Sequence, residues 1–465
     1  MNRVTESVDF ACRGSGSARP GGRGTRCELL AWAASGGMAL TGWPDRAPRP
    51  PPAPLLSRLA QLSAALADST SRVGERVDVE VATTFFGRAA LVGGQRAGTT
   101  SVGGSCQLLR TADGWVAVNL ARVADVEVVS ALVGAPVGDP WAALSAHVST
   151  RIAGVVAARA QELALPCAEV GAVHADDVAP GRTRRLGGRR RPAARPLVVD
   201  LSAMWAGPLA ASVLGRAGAR VVKVESLTRP DGARRGPAAF FDGLHAGHES
   251  VTLDFASSDG RARLQALLAA ADVVIEASRP RALAQLGIDA EAMVRSRPGL
   301  TWVSITAYGR TGPWSNRVGF GDDVAAAAGL LACDDEGEPV FCGDAIADPV
   351  AGLVAALGAT NAHARGGGVI VDVSLVGAAA WLAQPASAPL LRHRITEVDP
   401  GCWVVHHGAR HTRVAPPRAP GPPRVAQVAG AATTCVLAEL DTARATPSRP
   451  PSGRSSPRRL ARRPG

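Results

Sequence analysis

The stretch FCGDAIADPVAGLVAAL, residues 341–357, sets two carboxylates, Asp344 and Asp348, ahead of a run that is almost wholly apolar. The pattern predicts a buried helix with Asp348 at its start. A carboxylate there is partly withdrawn from water and lies beside the free N–H groups of a first turn. Those are the conditions a carboxylate nucleophile needs to work through a covalent intermediate. The same position suits a helix cap, because aspartate is a preferred N-cap and Pro349 fits a first helical position. Both roles fit the residues, and neither excludes the other.

A second cluster is cationic. Lys223, Arg229, Arg234 and Arg235 follow one another closely in RVVKVESLTRPDGARR. Arginine suits phosphate groups, and a solvated basic loop would look the same. Glycines 366–368 read as a turn into a strand rather than a phosphate cradle, since no helix start follows them. The eight cysteines form no CxxC and the nine histidines no HExxH, so the spacing predicts no metal site. His406 and His407 read as incidental. The cysteines read as reduced thiols of a cytoplasmic protein.

Residues 196–385 must position these groups, and they have a βα rhythm. Strands are expected at 196–202, 220–226, 249–255, 272–278 and 300–309, with helices at 204–219, 258–271 and near 281–295. Short apolar strands alternating with helices predict an α/β fold with a doubly wound parallel sheet. Ligands of such sheets lie beyond the carboxyl ends of the strands. Asp200, Ser202, Glu225, Glu276, Ser278 and Thr306 cluster there.

The chain has 465 residues, 46% of them hydrophobic, enough for two or three domains with a sizeable core. Its net charge of +11 suggests nucleic acid, but the distribution argues otherwise. Segments 182–195 and 444–465 each hold seven arginines and no acid, and together they exceed the whole positive excess. Arginine among Pro, Gly and Ser reads as a solvated linker and tail, so no specific nucleic-acid partner is expected. No apolar run reaches the roughly 20 residues of a membrane span. Residues 1–28 read as a disordered N-terminus. Segment 386–465 reads as a Pro/Arg-rich, low-complexity tail with little fold beyond one short helix near 433–440.

The sequence also echoes itself. PAPLLSRLAQLSAAL (52–66) lies over GDAIADPVAGLVAAL (343–357), and GERVDVEV (74–81) over GVIVDVSL (368–375). Two related halves are implied, with Ser57 standing where the second half has Asp348.

The 196–380 block resembles CoA-transferase family III, the CaiB/BaiF group that also includes alpha-methylacyl-CoA racemases. The resemblance is carried, in order, by VVDLSAMWAGPLAASVLGRAGARVVKVES, RPDGARRGP, SVTLDF, DVVIEASRPRALAQLGID, VSITAYGRTGP, GDAIADPVAGLVAAL and GVIVDVSL. GGSCQLLRTADGWVAVNLARVADV (103–126) is similar to the family's small-domain segment, which normally follows the large domain and here precedes it. The resemblance implies a Rossmann-like large domain at 196–385, a small-domain-like half at 29–181 and a basic linker at 182–195. It implies that Asp348 is the nucleophile and that CoA moves from an acyl-CoA to a carboxylic acid, without metal. It places coenzyme A contacts at Lys223, Arg229, Arg234, Arg235, Ser278 and Arg279, and implies a homodimer. A mobile lid over the site, made by glycines of 92–105, is a further implication. The sequence departs from the family pattern at Ala277-Ser278 and at His248, where lysine is usual. Two alternatives stay open: racemisation of a 2-methylacyl-CoA, with Asp322 or Asp323 in play, and a degenerate, non-catalytic pairing subunit.

Overall fold

The computed structural model describes residues 27–385, 393–421 and 424–445. Of the start expected to be disordered, 1–28, residues 1–26 lie outside the described residues, as does the arginine-rich end from 446, while Glu28 already begins a helix.

Seven strands form one large sheet. Their spatial order is 181–185, 369–374, 301–306, 273–276, 197–200, 220–226 and 249–253. All neighbours are parallel except Gly181–Arg185, which runs antiparallel to Val369–Ser374 at one edge. Successive side chains of a strand face opposite ways, and here both ways lead to apolar packing. Val198, Val273, Ile275 and Val303 join one core. Val199, Val222, Val274 and Trp302 join the other. That is why these strands are Val/Ile runs rather than alternating ones. The chain starts at the centre with Leu197–Asp200, winds outward to Glu249–Leu253, then returns to the other side at Val273–Glu276. The crevice between Asp200 and Glu276 is therefore a switch point, where open sheets bind ligands.

The helix Ala347–Ala364 is apolar around almost its whole circumference because it is enclosed on all sides. Its Gly352 admits the helix Ala206–Arg216, where a Cβ would come within 2.6 Å of Ala206 O. Its Gly358 faces Val371 of the sheet, and Leu55–Thr70 covers a further side. A smaller antiparallel sheet, 106–110, 115–119 and 167–169, carries the helices Val123–Val133, Pro140–Val148 and Ala153–Glu162 over a separate core.

Four expectations change. The stretch 182–195 is not simply solvated: Gly181–Arg185 is a sheet strand, Arg184 pairs with Glu291, and Arg190 with Asp272. Residues 394–413 form a three-stranded antiparallel sheet packed on the helix Glu28–Ser35, where the sequence reading had little fold. The later helix is Thr433–Ala445, and the stretch before it bonds to the outer strand, with Ala432 N donating to Ser250 O at 2.8 Å. That shields an otherwise open sheet edge. The helix expected near 281–295 is two, Pro280–Gln285 and Ala290–Ser296. The break falls at Gly287, in the left-handed region at φ 73°, and Asp289 caps the second helix. Within the internal echo, the two helices recur, but GERVDVEV forms no strand. It lies against the end of the helix Ala206–Arg216, where Glu75 N donates to Ala217 O.

Candidate active site

The helix that carries Asp348 begins one residue early. Ala345 takes a positive φ of 44°, and Asp348 N donates to Ala345 O at 3.0 Å. Helical backbone starts at Ala347, so Asp348 lies inside the first turn and is not the cap. Ile346 holds the cap position without a side-chain bond. A left-handed alanine costs about 1–3 kcal/mol and persists only where its surroundings impose it. The turn carries the Asp348 carboxylate toward a second helix start, Gly321–Ala327.

Four aspartates converge there. Asp344 is fully buried, and Arg88 grips both of its oxygens, with Nε to Oδ2 at 3.0 Å. Asp322 accepts from Ala345 N at 3.0 Å and from the Ser101 hydroxyl. Asp323 accepts from Phe320 N at 2.9 Å and from Asn119 Nδ2 at 3.0 Å. Asp348, which keeps a little solvent access, accepts from the Gly321 backbone N–H. A Cβ at Gly321 would sit 2.5 Å from Asp348 Oδ2, so only glycine leaves room.

Burial pushes these carboxyls up. Asp348 rises to about 7, through desolvation and the charges of Asp322 and Asp344, against the pull of Arg88. Asp322 rises to about 6 and Asp323 to about 8, again through burial first. Asp344 is also raised by burial, although Arg88 draws it back. A carboxyl near 7 on the solvent side of such a cluster is half ionised at neutral pH and poorly hydrated, which suits nucleophilic attack.

The expected cationic residues separate. Lys223 is 1% exposed and spent inside the fold, 3.0 Å from Asp231 and bonded to Ser202 O. Arg234 is held by Glu225, with Nε to Oε1 at 2.9 Å, and lies over the Phe241 ring. Neither is left to meet a phosphate. Arg235 is exposed at the end of a short turn. Arg229 lies near enough to Arg279 for its charge to be felt there. Burial lowers Arg279, and so do the charges of Arg281, Arg122 and Arg229. Its Nη1 is buried without a hydrogen-bond partner. Ser278 stands beside it, its N–H given to Glu276 Oε2 at 2.8 Å. His248 is a buried neutral side chain, lowered to about 4 by burial and Lys223.

Sequence reasoning missed Arg88, Asn119, Arg122, Arg281 and Gly321. Arg88 reaches Asp344 across 256 positions of sequence, and no local pattern marks such a pair. Arg122 joins the two halves of the site: it feels Arg279, and its guanidinium lies 5.6 Å from the Phe320 ring, next to Gly321. The 92–105 loop is tied to the frame rather than loose, since Phe341 N donates to Gly98 O and Ser101 bonds Asp322.

The geometry describes an open-sheet α/β protein with a raised carboxyl at Asp348 and, after the strand Val273–Glu276, an arginine with an unpartnered buried donor. Residues 196–417, just under half of the chain, match the model of CoA-transferase family III. The chain is 34% identical over 199 residues to an acyl-CoA transferase of Fusarium pseudograminearum, covering 38% of this chain and 44% of the relative. It is 30% identical over 247 residues to a succinate–glutarate CoA-transferase of Agrobacterium fabrum, covering 49% and 60%. The crystal structure of a CAIB/BAIF family protein from Brucella suis aligns at 32% identity and a TM-score of 0.37, over 40% of this chain and 53% of that one. The chain thus spans about half the length of the curated relatives it matches.

Proposed function

We propose that the protein transfers CoA from an acyl-CoA thioester to a free carboxylic acid, with Asp348 as the nucleophile. The observation that carries the reading is the Asp348 carboxyl itself. It is raised to about 7, faces the Gly321 N–H, and has a glycine opposite it where any side chain would collide. An Asp348 oxygen attacks the thioester carbonyl carbon, the C–S bond breaks, and a mixed anhydride and CoA thiolate result. The thiolate then attacks the Asp348 carbonyl carbon, which expels the first acid and leaves an aspartyl-CoA thioester. The acceptor carboxylate repeats the two steps in reverse order and leaves as the new acyl-CoA. One difficult exchange becomes a series of easier ones.

Arg279, Arg229, Arg281 and Arg122 are the cations we assign to the CoA phosphates. The unpartnered Arg279 Nη1 supports this, because a buried donor left unpaired costs about 1–3 kcal/mol unless a ligand meets it. The reading carries with it a Rossmann-like large unit at 196–385, a small unit at 29–181, a homodimer and a cytoplasmic location. Racemisation has less support. It needs two acid/base groups flanking one carbon. Asp322 and Asp323 are buried, and bonds from Ala345 N, Phe320 N and Asn119 to one oxygen of each hold them in place.

The test is incubation with a panel of acyl-CoA thioesters, then hydroxylamine and mass spectrometry. A hydroxamate on Asp348 that depends on acyl-CoA is the expected result. CoA binding without that mark would move the reading to another acyl-CoA reaction. Neither binding nor mark would make the chain a degenerate relative.

A further inference from the structure

We infer that Cys27, His393 and His407 form a site for a divalent transition metal of the zinc class. One ligand atom from each of the three lies within 4.8 Å of the other two. Cys27 Sγ is 2.9 Å from His393 Nε2, and the two imidazoles stack at 4.7 Å between centroids, 27° apart. His407 Nδ1 is buried and has no hydrogen-bond partner.

The donor set is one thiolate and two imidazoles, which zinc and its neighbours in the transition series favour. Zinc binds sulfur at about 2.3 Å and nitrogen at about 2.0–2.1 Å, so tetrahedral ligands stand roughly 3.5 Å apart. Cys27 and His393 would therefore separate by roughly 0.6 Å, within reach of a small side-chain rotation. Three protein ligands leave the fourth position to water or another small donor. On binding, the thiol loses its proton to solvent and both imidazoles coordinate as neutral rings.

The three residues come from two remote parts of the chain that pack against each other. Cys27 immediately precedes the helix Glu28–Ser35, whose Trp32 and Ala33 are fully buried. His407 ends one strand of the small sheet that packs on that helix, and His393 immediately precedes another, Arg394–Asp399. Val405, two residues before His407, is fully buried, and Ala415 N donates to Ala33 O at 2.8 Å. A metal ion there would clasp the start of the described chain to its C-terminal sheet. Nothing in the spacing announced it, because 366 positions separate Cys27 from His393.

The test is titration of the full-length, reduced, metal-stripped protein with Co²⁺ as probe, followed by Zn²⁺ competition. One Co²⁺ per chain with a thiolate-to-cobalt absorption band is expected, together with a rise in Tm on adding Zn²⁺. Cys27→Ser and, separately, His407→Gln should each weaken binding at least a hundredfold, beyond the about 10–100-fold that outer-sphere partners contribute. Cys402→Ser, on an exposed neighbouring position, should bind like the unaltered protein. The inference is overturned if the unaltered protein takes up no Co²⁺. It is equally overturned if Cys27→Ser and His407→Gln both retain the band. Should Cys27→Ser fail to fold, the His407→Gln titration and the unaltered protein decide the matter.

Discussion

Arg88 holds both oxygens of Asp344, and Asp348, four residues further on, has no cation bonded to it among the described residues. The two carboxylates look alike in sequence and differ in partner. Asp344 is an anchor for a residue from the other half of the chain, and Asp348 is left chemically available.

Replacing Asp348 by Asn should lower CoA transfer by about 10³-fold or more, as losing a covalent nucleophile does. Far-UV circular dichroism should be unchanged, because the Asp348 side chain does not cap its helix. Steady-state assays on any acyl-CoA the unaltered enzyme accepts will check this.

Arg88→Ala should destabilise the fold by about 3–5 kcal/mol, since it strands the fully buried Asp344 charge. Adding Asp344→Asn to that variant should restore part of the loss, a non-additivity measurable by urea unfolding of the single and double variants.

Activity should rise with pH through about 7 and level off, following ionisation of Asp348. Stability should move the opposite way. Asp322, Asp323 and Asp348 all hold protons in the fold at pH values where the unfolded chain has released them. Their contribution is complete below the ordinary aspartate range near 4 and is lost as pH climbs through about 6 to 8. The urea midpoint should fall from pH 5 to pH 8, and Asp323→Asn should flatten the upper part of that slope.

Gly321→Ala should cost about 1–3 kcal/mol through overpacking. It should also reduce turnover about 10²-fold by displacing the Asp348 carboxylate, which a Cβ would approach to 2.5 Å. Gly352→Ala forces the helix Ala206–Arg216 aside instead, and should harm stability more than turnover.

Arg279→Ala should raise KM for the acyl-CoA roughly 10- to 100-fold, the range of about 1.5–3 kcal/mol for charged hydrogen bonds. Raising ionic strength should weaken the unaltered enzyme's KM toward that of the variant. Arg234→Ala should change KM little, because its guanidinium is already held by Glu225.

The sequence by itself determined the strands of the large sheet and the buried helix after Asp348. Val and Ile runs between helical segments allow few other arrangements, as with RVVKVES, which is a strand over Arg220–Ser226. It also determined the relation to a family of CoA enzymes, through motifs that keep their order. Tertiary structure alone decided what each charged group does. Lys223 and Arg234 look like phosphate ligands in a linear reading but spend their charge on Asp231 and Glu225. Asp348 looks like a cap, but a left-handed Ala345 starts the helix earlier. The partners Arg88 to Asp344, Arg190 to Asp272 and Cys27 to His393 lie 256, 82 and 366 positions apart. Hydrophobic periodicity is a local property, and a sequence displays it. The availability of a charge depends on which opposite charge the fold brings within a few ångströms, and on how much water it leaves there.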